Sequence, residues 1–129
     1  LGVSRAMVVH GHDGMDEITT TTLTRISELK DSRVRTYDLD PLTFFEDYAD
    51  PRDLAGGDIR HNADTTLAVL NKERGPGRDI VVLNAGAALM VADKAASVQE
   101  GMALAEQAID SGAALEKLNR LVQFTQEVS

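Results

Sequence analysis

The stretch that decides the reading is VVHGHDGMDEITTTT, Val8 to Thr22. An apolar run, RAMVVH from Arg5 to His10, is bounded by Gly11, and such a run reads as a buried strand. The GHDGMDE beyond it reads as a loop, because Gly11, Gly14 and Asp13 allow backbone angles that other residues avoid. It leaves the strand at its C-terminal end, where open α/β sheets place their ligands. The stretch thus sets a strand and a candidate site side by side.

Working outward, Thr22 to Leu29 and Arg33 to Leu39 are rich in strand formers and separated by KDS, so they predict a hairpin. Asp50 followed by Pro51 has the pattern of a helix cap and first residue, for a short helix stopping at Gly56-Gly57. Asp58 caps a helix running to about Lys72, with Ala63, Leu67 and Leu70 on its inner face. Arg74 to Asp79, RGPGRD, reads as a loop before a buried strand at Ile80 to Leu83. Asn84-Ala85-Gly86 then turns the chain into a helix ending near Ala92. Ser97 and Glu100 have capping-box spacing, for a helix to about Asp110. Gly112 closes it, and Ala113 to Glu127 forms a last helix with Leu115, Leu118, Leu121 and Val122 inward. The order β, ββ, α, β, α, α, α predicts an α/β domain with helices flanking a small, partial mixed sheet.

With 129 residues, 43% of them hydrophobic but only 4% aromatic, the chain has enough for one core, built of aliphatic side chains. Thirteen basic against 21 acidic residues give a net charge of −8. No nucleic acid is expected as partner, because that binding is driven by basic side chains. A phosphorylated small molecule stays open, since divalent cations and helix N-termini supply positive charge. The absence of cysteine removes disulfides, cysteine-zinc sites and a cysteine nucleophile. No apolar run nears the roughly 20 residues of a membrane span, and the start carries no signal-peptide pattern. The expectation is a cytoplasmic protein with no membrane partner.

Two readings of the loop compete. His10 and His12, at i and i+2 of a strand, share a face and invite zinc, but a catalytic zinc takes three protein ligands and His61 is the only other histidine. Asp16 and Glu17 are adjacent, and in a loop both carboxylates can turn toward one cleft. Magnesium suits them, because it takes one or two carboxylates, keeps several waters and bridges to phosphates. The bland alternative is a pair of solvated charges. At Gly56-Gly57-Asp58, helix capping is favoured over anion binding, and Asn84 is expected to order its turn. The threonine run reads as strand-forming sequence, and no GxxxxGK[ST], GxSxG or HExxH motif occurs.

Taken together, MVVHGHDGMDEI (Met7 to Ile18), DLAGGDIRHNADTTLAVL (Asp53 to Leu70) and RDIVVLNAGAALMVADKAASVQEGMALAEQAIDSGAAL (Arg78 to Leu115) resemble the anthranilate phosphoribosyltransferase family in order and spacing. The resemblance implies phosphoribosyl transfer from phosphoribosyl pyrophosphate to anthranilate, Mg2+ held by Asp16 and Glu17, and a homodimeric full-length enzyme. The family's GTGGD loop and its acceptor-binding segments do not occur in residues 1–129. The chain is therefore expected to be a single-domain, C-terminal portion of a longer enzyme, inactive alone. A non-catalytic module with the family fold and a relative of the pyrimidine nucleoside phosphorylases are the competing expectations.

Overall fold

The computed structural model describes residues 2–127. Three strands come first: β1 (Ala6–Gly11), β2 (Thr24–Lys30) and β3 (Arg33–Leu39). They form an antiparallel sheet in the order β1-β2-β3, with Val9 opposite Ile26 and Ile26 opposite Tyr37. Single 3-10 turns at Pro41–Thr43 and Pro51–Leu54 lead to four helices: α1 (Ile59–Leu70), α2 (Pro76–Val91), α3 (Val98–Asp110) and α4 (Ala113–Glu127). The α/β class and the flanking helices are as expected.

The predicted strand at Ile80 to Leu83 is helical, lying inside α2, and Asn84-Ala85-Gly86 is not a turn but the next helical residues. A four-residue apolar run has no period of its own, and β-branched content does not separate a buried strand from a buried helix. Two facts decide it. Pro76 occupies the first helical turn, where its missing N–H costs nothing, so the Gly/Pro stretch starts the helix instead of separating elements. From there Ile80, Leu83, Ala87 and Met90, all buried, recur at helical spacing. The sheet consequently has no parallel member among the described residues.

Helix α2 is the centre of the molecule. On one side Leu83 and Ala87 pack with Ile18, Ile26 and Leu39, with Phe44 and Phe45 closing that cluster. On the other, Val82 packs with Val69, Ala105 and Ile109 of α1 and α3. A buried Arg78 near the start of α2 pairs with Asp110 at the end of α3, Nη1 to Oδ1 2.9 Å. Between these anchors α2 and α3 meet backbone to backbone: a Cβ on Gly101 would lie 2.2 Å from the Gly86 carbonyl oxygen, and one on Gly86 2.7 Å from the Met102 nitrogen.

The caps agree closely with the sequence. Asp50 accepts from the Arg52 N–H at 2.9 Å, and Asp58 from the His61 N–H at 2.8 Å. Ser97 accepts from the Glu100 N–H at 3.2 Å, but the returning Glu100 carboxylate takes the Ala96 N–H, not that of Ser97. Inner faces were less well anticipated. Val69 is the buried residue of α1 while Ala63 and Leu67 are exposed, and Leu121 and Val122 of α4 are exposed at 57% and 45%. The hairpin turns through Asp31 and Ser32, both at positive φ, as a two-residue turn matched to strand twist requires.

Because Gly101 touches backbone, not a flexible side-chain end, Gly101→Ala must push α3 away from α2. We expect a loss of about 3 kcal/mol or more in urea unfolding. A change below about 1 kcal/mol would disprove the close approach.

Candidate functional site

The loop between β1 and β2 is built around the Asp13 carboxylate. Its Oδ2 accepts from the hydroxyls of Thr19 (2.7 Å) and Thr21 (2.5 Å), and its Oδ1 accepts from the Met15 N–H (3.1 Å). Gly11 makes room for it: a Cβ there would sit 2.4 Å from Asp13 Oδ1. The turn is tied off by the Gly11 N–H donating to the Met15 carbonyl and the Gly14 N–H to the Gly11 carbonyl, 2.9 Å each. The threonine run is therefore not strand sequence. Thr19 and Thr20 are buried, and the hydroxyls of Thr19 and Thr21 bond to the loop that precedes them.

The far end of this loop is held from the opposite side, by Asn84 of α2. Its Oδ1 accepts the Ile18 N–H at 2.9 Å, while its Nδ2 donates to the Ile18 carbonyl at 2.8 Å and to the Ile80 carbonyl at 2.9 Å. The same Nδ2 lies 3.3 Å from Glu17 Oε2. One carboxamide thus satisfies both polar backbone groups of the residue next to Glu17. Ile18, 2% exposed, is the apolar plug that seats the segment in the core.

Asp13, Asp16 and Glu17 crowd one loop, and their surroundings differ. Burial would raise the Asp13 carboxyl, but the hydrogen bonds from Thr21, Thr19 and Met15 outweigh it and hold it below the usual range. Glu17 is pushed up, first by its own partial burial and then by the charges of Asp16 and Asp13. Asp16 is exposed beside it. Asp16 and Glu17 thus lie side by side in the loop, and the charges that act on Glu17 are those of Asp16 and Asp13.

Glu17 also lines a cleft of about 460 Å³ between the Pro51–Leu54 turn, α1 and α2, together with Met15, Arg52, His61, Asn62, Val69 and Ile80 among others. Asn62 shapes its rim, accepting from the Gly57 N–H at 2.9 Å and donating to the Gly57 carbonyl at 3.2 Å. The histidines do not converge. His10 is exposed on β1, His12 Nε2 lies 3.2 Å from Asp38 Oδ1, and His61 sits on α1. Among the described residues no group of three or more His, Asp or Glu side chains is arranged to hold a metal.

Sequence reasoning missed Asp13 and Asn84 as the residues that fix this loop. The available signals were an aspartate with threonines six and eight residues on, and a lone amide inside the apolar run IVVLNAGAAL.

Residues 1–115 match the profile of the glycosyl transferase family, a/b domain. The chain is 57% identical over 126 residues to the anthranilate phosphoribosyltransferase of Desulfosudis oleivorans, a match covering 97% of this chain and 37% of that protein. It is 53% identical to that of Acetivibrio thermocellus, covering 97% and 36%. In structure it is similar to anthranilate phosphoribosyltransferase from Thermus thermophilus, with a TM-score of 0.83 at 36% identity over 95% of this chain and 36% of the other. A variant of the Saccharomyces cerevisiae enzyme with Mg bound gives a TM-score of 0.79 at 25% identity, over 90% and 34%. The chain spans little more than a third of the length of these relatives.

Replacing Asn84 by Ala strands the buried Ile18 N–H and carbonyl and is expected to cost about 2–4 kcal/mol, with faster amide exchange at Ile18. Unchanged exchange there would refute the clamp. Glu17 has a folded pKa above its unfolded one, so its ionisation opposes folding as pH rises through that value. Glu17→Gln should therefore raise the Tm at neutral pH, with the gain vanishing as pH falls below the ordinary carboxylate range. A gain that persists in acid would contradict the assignment.

Proposed function

The chain belongs to the glycosyl transferase family through its a/b domain, and from that premise we propose that it supplies the Asp16-Glu17 magnesium site of an anthranilate phosphoribosyltransferase of tryptophan biosynthesis. The observation that carries the reading is the Glu17 carboxylate, 3.3 Å from the Asn84 amide and raised by burial and by the charges of Asp16 and Asp13. A divalent cation relieves that repulsion. Support also comes from the names of the curated relatives and from the Mg held by the yeast neighbour.

The donor set fits magnesium. Asp16 and Glu17 offer hard carboxylate oxygens and no nitrogen or sulfur, and two protein ligands leave room for waters and substrate phosphate oxygens. In the proposed reaction the bond between C1′ of the ribose and the pyrophosphate oxygen breaks, the electron pair leaving with pyrophosphate. A bond from C1′ to the anthranilate nitrogen forms, and that nitrogen gives up a proton. The bound ion would supply Lewis-acid neutralisation of the charge that develops on the leaving group.

The chain's own part is positional. Asn84 fixes the backbone of the residue after Glu17 and so sets where the Glu17 side chain leaves the chain. Asp13, saturated by two hydroxyls and an amide, is spent on the loop and does not compete for the cation. Transfer by these 129 residues alone is not expected, given the share of the relatives they span. The reading includes a cytoplasmic, homodimeric whole enzyme. Among the described residues no helix is long and apolar enough to cross a membrane.

The test has two parts. Titrated with Mn2+ and followed by electron paramagnetic resonance, the chain should bind one ion, and Asp16→Asn with Glu17→Gln should weaken it at least about tenfold. Exchanged for the matching segment of the Desulfosudis oleivorans enzyme, the native chain should sustain anthranilate consumption and the double variant should lose about a hundredfold or more in kcat/KM. Full activity in the double variant would end the proposal.

A further inference from the structure

A second charged cavity lies at the other end of the sheet. Thr24, at the start of β2, pairs with Gly11 beside the acidic loop, whereas Lys30 pairs with Arg33 across the hairpin turn. Strand β2 runs from one end to the other, a distance of about 20 Å at roughly 3.3 Å per residue. There Arg5, Lys30, Arg33 and Arg35 line a cavity of about 550 Å³ together with Met90 and Ala96, with Glu28 and Asp31 as the only carboxylates in the lining.

The cations are available to different degrees. Arg5 is committed, ion-paired with Asp93 and 3.9 Å from Glu28, its side chain 11% exposed and its Nε buried without a partner. Glu28 is engaged in turn by Arg5 and by the Tyr37 hydroxyl at 3.3 Å. Arg35 lies with its guanidinium carbon 5.8 Å from the centre of the Tyr37 ring and is exposed. Lys30 and Arg33 hold no ion pair among the described residues. Strand alternation and the pairing of Lys30 with Arg33 and Glu28 with Arg35 put these four on one face of the hairpin.

Charge gives the location meaning. The lining carries four cations and two carboxylates, and with Arg5 paired to Asp93 the cavity keeps a net charge of +1, in a chain whose net charge is −8. The remainder therefore bears −9, and an anion meets attraction at this cavity and repulsion over most of the rest of the surface. Two guanidinium forks match the oxygens of a phosphate bidentately, and the volume suits a small molecule.

We propose that this cavity is a binding site for a small phosphorylated anion, separate from the Asp16-Glu17 loop and independent of any metal there. The probe is inorganic tripolyphosphate, added to the whole chain in the presence of a chelator so that the acidic loop holds no cation, and followed by amide chemical shifts. Saturable shifts are expected at Lys30 to Arg35 and Ala96. Arg33→Gln with Arg35→Gln, both exposed and compatible with the fold, should weaken binding about tenfold or more. Asp16→Asn with Glu17→Gln should leave it unchanged, which separates this site from the proposed magnesium site. Absence of saturable binding, equal binding by the arginine variant, or loss on changing Asp16 and Glu17 would each overturn the proposal. So would a poly-glutamate peptide that binds more tightly than tripolyphosphate, which would assign the cavity to an acidic protein segment.

Discussion

The Asn84 carboxamide is the constraint on which the arrangement of this domain turns. A side chain from the middle of a helix replaces the partner strand that the Ile18 backbone lacks, accepting its N–H and donating to its carbonyl. Such mimicry works only if the helix stands at a fixed height above the loop. That height is set by Leu83 and Ala87 against Ile26 and Leu39, and from behind by the contact of Gly86 with Gly101. Close packing far from the loop is thus converted into the position of one carboxylate, because interiors at crystal-like density transmit displacement instead of absorbing it.

The loop shows how neighbouring acids acquire different roles from their surroundings. Asp13 accepts three hydrogen bonds and is held ionised. Glu17 receives one long contact from Asn84, sits partly out of water and faces two like charges. The first is a structural anion and the second an incompletely balanced one. Composition and spacing do not distinguish them, since both lie within the same five-residue run.

Elements governed by local chemistry were legible in the sequence. The hairpin, the Asp50, Asp58 and Ser97 caps and the end of α3 at Asp110 are set by side chains and turns that bond to their own neighbouring backbone. Features decided by distant contacts were not. The IVVL run has strand composition, yet it is surrounded by apolar groups on both sides, which a buried helix accommodates as well as a strand. The threonines carry strand propensity, but the hydroxyls that matter find Asp13, eight residues or fewer away in a turn whose shape the sequence does not display. Of the candidate site, Asp16 and Glu17 were legible as adjacent acids in a glycine-containing loop and were favoured through resemblance, whereas the role of Asn84 was missed because its partner lies 66 residues away along the chain.

That separation bears on how the domain assembles. The hairpin joins residues close in sequence and is the kind of structure that forms early, whereas the Asn84 to Ile18 bond spans 66 residues and requires α2 to be docked first. Partly folded forms that already possess the sheet and its helices would hold Glu17 loosely. The docking of Ile18 and the placement of Glu17 are then late events on the folding path, and reporters of completed folding.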